Sequence, residues 1–175
     1  LRMSDLQNEG GWAAIMSMDT NIADFADLSA TGRRSTYGFG GVEQSPNERS
    51  REDVEQYDIV TNVQIGQLLP KKWGIQIPFN YAQSEEIITP QFDEFYRDIE
   101  LQTQLDNSTN QDSILKVNEN YTKRKSINFI GVRKQKMGDG KNHFYDVENL
   151  TLNYSYNKVE HRDFEIENAL DQNIR

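Results

Sequence analysis

The stretch WGIQIPFNY, residues 73–81, alternates without a slip: Trp73, Ile75, Ile77, Phe79 and Tyr81 on one parity, Gly74, Gln76, Pro78 and Asn80 on the other. Successive side chains leave opposite faces of an extended chain, so a period of two reads as a β-strand with one apolar and one wet face. Two further segments repeat it. YDIVTNVQIG (57–66) sets Tyr57, Ile59, Val63 and Ile65 against Asp58, Asn62, Gln64 and Gly66, with Val60 and Thr61 out of place. LTLNYSYN (150–157) sets Leu150, Leu152, Tyr154 and Tyr156 against Thr151, Asn153, Ser155 and Asn157. KSINFIGVR (125–133) is rich in β-formers but mixed, with Ile127 and Phe129 on one face and Ile130 and Val132 on the other. GWAAIMSMDTNIADFADLSATG (11–32) is long and blurred, and reads as two strands joined by a bulge near Asp19 to Ala23.

These segments predict an all-β chain, an antiparallel meander of about five or six long strands near 11–32, 57–68, 73–83, 124–134 and 143–160. The connections alternate in length. QLLPKKW after Gly66 is a tight reversal around Pro70, and KQKMGDGKN (134–142), with Gly138, Asp139 and Gly140, is a hairpin signal. These alternate with long polar links at about 33–56 and 84–123, the second far beyond ordinary loop lengths. Brief turns at one end and extended loops at the other are the grammar of an outer-membrane barrel.

A ruler agrees with that reading. Trp73 and Tyr81 are eight steps apart, about 27 Å along a strand, which a tilt near 40° reduces to roughly 20 Å, close to the ~25 Å apolar band of such barrels. The expected lipid-facing set is therefore Tyr57, Ile59, Val63, Ile65, Trp73, Ile75, Ile77, Phe79, Tyr81, Leu150, Leu152, Tyr154 and Tyr156. The expected lumen-facing set is Asp58, Asn62, Gln64, Gln76, Asn80, Thr151, Asn153 and Ser155. Pro78 lacks a donor for the sheet ladder, so an irregularity is expected beside it. Five or six strands cannot close in lipid, where the smallest single-chain barrels use eight, so the membrane reading makes this chain one part of a larger barrel. A water-soluble antiparallel sheet with one core face fits the same alternation.

Composition removes other classes. None of the 175 residues is cysteine, which excludes disulfide scaffolds, thiol catalysis and thiolate-bound zinc. A net charge of −9 opposes nucleic-acid binding, since nothing offsets phosphate repulsion. No run approaches the roughly 20 apolar residues of a spanning helix, so a membrane role must use strands. The chain opens on Leu1 with no charged-then-apolar leader, as expected of a piece of a longer or processed protein.

The sharper motifs fail. DNSTNQDSILKV (106–117) starts like a calcium loop but has Gln111 in place of the glycine and Val117 in place of the bidentate glutamate, and reads as a polar loop. His143 and His161 lack ligand spacing, YGFGG (37–41) precedes no helix, and Glu85 and Glu86 point to opposite strand faces. No enzyme, cofactor or metal role is expected. The long insertion is acidic, with eight carboxylates between residues 84 and 112 against Arg97 alone. Within it Phe92, Phe95, Tyr96 and Ile99 fall at helical spacing, so a short amphipathic helix is expected in about 85–123.

STYGFGGVEQSPNERSREDVEQYD, TNVQIGQLLPKKWGIQIPFNY, RKSINFIGVRK and FYDVENLTLNYSYNKVEHRDFEIEN are long phrases that together run through nearly the whole chain. In them the chain resembles the SprA (Sov) family, giant outer-membrane proteins of Bacteroidota required for gliding motility and type IX secretion. The resemblance implies a segment of a translocon barrel, with about 36 strands as the known upper end for such walls. It implies location in the outer membrane at the cell surface. It also implies as partners the remainder of its own barrel, outer-membrane lipid, a PorV-like shuttle barrel, a plug protein and secreted cargo with C-terminal sorting domains. A nutrient-transporter or porin barrel shares the strand grammar, and a soluble extracellular β-sheet binding module remains a third reading.

Overall fold

The computed structural model describes residues 2–3, 11–23, 25–40, 50–136 and 150–175, which build one antiparallel sheet of nine strands. The strands are β1 (Arg2–Met3), β2 (Trp12–Ile22), β3 (Ala26–Ser35), β4 (Glu52–Gln64), β5 (Ile75–Gln76), β6 (Pro78–Pro90), β7 (Asn120–Lys134), β8 (Thr151–Arg162) and β9 (Ala169–Ile174). Neighbours in space follow the chain, β1-β2-β3-β4-β6-β7-β8-β9, with the short β5 beside β7. The meander is as expected, and the sheet is open, with β1 and β9 at its edges.

Four boundaries differ from the sequence reading. The 11–32 stretch does not bulge; it reverses between Ile22 and Ala26, and β2 and β3 pair from Ala13↔Ser35 to Ile22↔Ala26. That turn contains neither glycine nor proline, and Ala23 itself takes a φ of 48°. The long insertion shrinks to residues 91–119, because β6 and β7 run on together as far as Ile88↔Asn120. Likewise the 33–56 link narrows to residues 36–51, since β3 and β4 stay paired to Ser35↔Val54.

The fourth is the opening stretch itself, which breaks just before Pro78. Ile65 and Trp73 lie in two 3-10 turns, Ile65–Leu68 and Lys71–Trp73, ended by Gly74 in the left-handed region at φ 62°. The reversal is tight because Gly66 has no side chain: a Cβ there would sit 2.3 Å from the Ile75 carbonyl oxygen. Ile77 falls between β5 and β6, though its carbonyl accepts the Ile65 N–H at 3.0 Å.

Opposite the break, β7 carries an extra residue. Ile130 pairs with Asn153 but Val132 with Leu152, leaving Gly131 unpaired at φ 80°. The register against β5 and β6 shifts by one residue at the same level, from Phe79↔Phe129 to Gln76↔Arg133. A glycine at positive φ is the usual occupant of such a bulge.

The insertion folds differently from the expected helix. Phe92 bridges Glu100, and the helices come later, α1 at Leu101–Asn107 and α2 at Gln111–Asn118, so the failed calcium loop is partly helical. Asp93, 4% exposed, accepts the Phe95 and Tyr96 N–H groups at 2.8 and 2.7 Å. A side chain that captures these donors competes with the helix that the apolar spacing suggested. Asn118, 5% exposed, donates to Asp93 and accepts from the Glu94 N–H at 2.9 Å, tying the end of α2 to the same turn.

Almost nothing is buried. Among the described residues only Ala26 and Leu101 are buried apolar side chains, and no large side chain is fully enclosed. The 20.3 kDa chain exposes 12758 Å², whereas a compact monomer of that mass exposes roughly 8,800 Å². Among the described residues it is a single layer of sheet, with no second layer against either face.

Candidate functional site

Cross-strand pairing fixes which side chains share a face. On one face, here called apolar, Ile22, Ala26, Val63, Phe79, Phe129 and Tyr154 form a continuous row across six strands. The next row holds Leu28, Thr61, Tyr81, Ile127, Tyr156 and Ile174. Phe129 packs between Phe79 and Tyr154, with ring centroids 5.0 and 6.4 Å away. On the other side of the bulge Val132 and Leu152 continue this face. The bulge therefore explains the mixed parity of 125–133: Gly131 turns Val132 to join Ile127 and Phe129, leaving Ile130 on the opposite face, 61% exposed.

The opposite, polar face carries a row of side chains at the level of Phe79: Asn21, Asp27, Asn62, Asn80, Asn128 and Ser155. They bond to one another. Asn21 donates to Asp27 at 2.6 Å, Asn80 to Asn62, Asn128 to Asn80 at 3.3 Å, and the Ser155 hydroxyl to Asn128 at 2.6 Å. Ser126 donates to Asn157 at 2.8 Å one row further along.

Of the residues expected on the apolar side, Tyr57, Ile59, Val63, Ile75, Phe79, Tyr81, Leu152, Tyr154 and Tyr156 all lie on one face. Ile65, Trp73, Ile77 and Leu150 lie outside strands, so strand parity does not apply to them. Of the polar set, Asp58, Asn62, Gln64, Gln76, Asn80, Thr151, Asn153 and Ser155 all lie on the other face. The reading missed Asn21, Asp27 and Asn128 on the polar row and Met16, Met18, Leu28 and Val132 on the apolar face. Leu28, Ala30 and Gly32 do alternate with Asp27, Ser29 and Thr31, but the side chains are too small to stand out.

Away from its apolar rows, toward the 91–119 insertion, the apolar face becomes charged. Glu85 accepts from both Tyr57 and Tyr121, the latter at 2.8 Å, and lies 3.4 Å from Lys123. Arg34 meets Glu55 at 3.1 Å and Lys158 meets Glu160 at 2.6 Å. At the same end Arg162 reaches Glu119 at 3.5 Å, and burial pushes the Glu119 carboxyl up against that attraction. His161 sits at the strand end, between the Thr122 hydroxyl at 2.9 Å and Asp163 at 3.1 Å. Asp163 also accepts the Glu165 and Ile166 N–H groups, which hold its carboxyl below the usual range.

Among the described residues no three His, Cys, Asp or Glu side chains are grouped to hold a metal, and no helix is long and apolar enough to cross a membrane. His143 and the Gly138-Asp139-Gly140 signal lie outside the described residues. A sequence model of the family SprA_N, described as motility related/secretion protein, matches residues 1–105, which covers β1 to β6 and most of α1. No curated protein matches the chain.

Proposed function

Because the chain belongs to the SprA_N family of motility related/secretion proteins, we propose that its sheet is a stretch of the wall of an outer-membrane β-barrel that exports proteins in type IX secretion and supports gliding motility. The observation that carries this reading is the single layer: nine strands present an apolar face that no part of the described chain covers. A water-soluble domain would pack a second layer on it. Lipid covers it in the barrel, while the amide and hydroxyl rows of the other face line a water-filled lumen.

Strand length supports the same assignment. β4 and β6 have 13 residues each, more than the roughly 9–11 needed to span a bilayer with tilt. The surplus falls at the end with the 91–119 insertion and its charge pairs, which we assign to the cell surface, and the 65–77 reversal to the periplasm. The open edges at β1 and β9 receive further strands of the barrel, since unpaired edges in lipid cost several kilocalories per group. The role is a conduit's and not a catalyst's. Polar-face side chains bond mainly to each other and would hydrate a passing chain without gripping it. A PorV-like shuttle, a plug protein and cargo with sorting domains are the partners that such a wall would meet.

Nitroxide labels placed singly from Tyr121 to Ile130 in the full-length protein, reconstituted in vesicles, test the assignment. Oxygen accessibility should peak at positions 127 and 129 and nickel accessibility at 126 and 128. Equal exposure to both probes along β7 would remove the lipid and lumen assignment.

A further inference from the structure

We infer that the apolar face carries, one row beyond its tyrosines, a docking site for a phosphate-bearing lipid headgroup built on Lys125 and Lys158. This rests on the membrane-wall reading above. The two lysines are direct cross-strand partners on β7 and β8, a juxtaposition of like charges that destabilises a sheet unless an anion offsets it. Nothing in their own row does so, because their neighbours on either side are the neutral Gln83 and Gln172. Lys158 has Glu160 at 2.6 Å, but Lys125 has only the face of the Tyr81 ring, 5.7 Å away, among the described residues. Glu85, one row further, is already engaged by Tyr57, Tyr121 and Lys123.

The surroundings select a lipid over a free ion. Rows on one face are two residues apart, about 7 Å. The row below the lysines holds Tyr81, Ile127 and Tyr156, and the row below that Phe79, Phe129 and Tyr154. An acyl chain lying along Ile127 and Phe129 places its phosphate level with the two ammonium groups. The chain as a whole carries a net charge of −9, so paired cations at this level do not follow from a generally basic composition. Free phosphate, lacking that apolar floor, would meet two lysines in water, where such pairs bind weakly.

The test places a bimane fluorophore at Ile127→Cys in the full-length protein in phosphatidylcholine vesicles and compares quenching by doxyl-labelled phosphatidic acid and doxyl-labelled phosphatidylcholine. Phosphatidic acid should quench several-fold more effectively. Lys125→Gln with Lys158→Gln should remove that several-fold preference at low salt, to near parity, while Lys125→Arg with Lys158→Arg retains it. Quenching by phosphatidylcholine in the glutamine variant reports that the strand still reaches lipid. Equal quenching by both lipids in the unsubstituted protein, or an unchanged preference in the glutamine variant, overturns the site and leaves the membrane wall standing. Loss of the preference on adding inorganic phosphate overturns lipid selectivity. No quenching by either lipid removes the wall and the site together.

Discussion

On the proposed membrane wall, adjacent residues of β7 should respond in opposite ways to the same charge. Phe129 lies in the middle of the apolar rows and packs on two rings, while Asn128 points to the polar face and bonds to Asn80, Ser126 and Ser155. Arginine near the middle of a bilayer on the lipid side costs about 2–4 kcal/mol. Losing two aromatic contacts at about 0.5–1.5 kcal/mol each brings Phe129→Arg to about 3–7 kcal/mol. Asn128→Arg gives up hydrogen bonds whose partners water can satisfy, so its cost should stay under about 1 kcal/mol. A difference of several kcal/mol is a factor of more than a hundred in the local opening equilibrium.

The assay compares the two variants of the full-length protein for assembly into the outer membrane, judged by heat-modifiable migration. It also follows amide exchange on the partner strand β6, at Phe79 to Tyr81. Phe129→Arg should reduce the assembled fraction and release protection on β6, and Asn128→Arg should do neither. Equal damage from both, or greater damage from Asn128→Arg, would refute the assignment of faces.

Three further outcomes follow from single contacts. Gly131 and Gly32 both have open space where a Cβ would stand, but only Gly131 sits at positive φ, so Gly131→Ala should cost about 1–2 kcal/mol and Gly32→Ala little, as read by amide exchange across β7 and β8. Asp93→Ala removes the acceptor of two backbone donors and of buried Asn118, so the 91–119 insertion should become about 2–3 kcal/mol easier to open to protease while protection of the sheet is unchanged. The Ile166 N–H, with the His161 ring and the Glu165 N–H, holds Asp163 below its unfolded value of about 3.9. Its contribution to the 163–168 turn is thus full above that pH and disappears as pH falls through the lowered value. Protection factors at Glu165 and Ile166 should fall there, and Asp163→Asn should flatten the profile.

How much of this was legible depends on whether local chemistry and sheet pairing agreed. β4, β6 and β8 were readable because large apolar side chains alternate with polar ones, with Val60 and Thr61 of β4 as the exceptions. KSINFIGVR was not, because a single glycine changes the count; a glycine inside a strand is itself the sign of a bulge, and taken as such it would have moved Val132 to the correct face. The β2–β3 reversal stayed hidden because it uses Ala23 at positive φ where glycine or asparagine would have announced a turn. Phe92, Phe95, Tyr96 and Ile99 suggested a helix by spacing alone, and Asp93 overrode it by taking the N–H groups at 95 and 96. In the WGIQIPFNY stretch, Trp73 leaves the sheet, since Gly66 and Gly74 allow the chain to double back through 3-10 turns.

The amide row explains how a single layer without a core holds one register. In a two-layer domain, packing against the second layer penalises a slip; among the described residues no second layer packs on either face of the sheet. A slip of one residue between β6 and β7 would turn every side chain of one strand over, carrying Phe129 to the polar face and Asn128 among the aromatic rings. In the proposed membrane wall both errors cost at once, because the amide loses its partners where lipid offers none in exchange, and the phenyl ring enters water. Asn62, Asn80, Asn128 and Ser155 therefore specify from the polar side the alignment that Val63, Phe79, Phe129 and Tyr154 specify at the same level from the apolar side. The two rows act together only when the faces meet different solvents. In water alone the aromatic row stays exposed, and the preference for one register rests on amide bonds that water can replace at little cost.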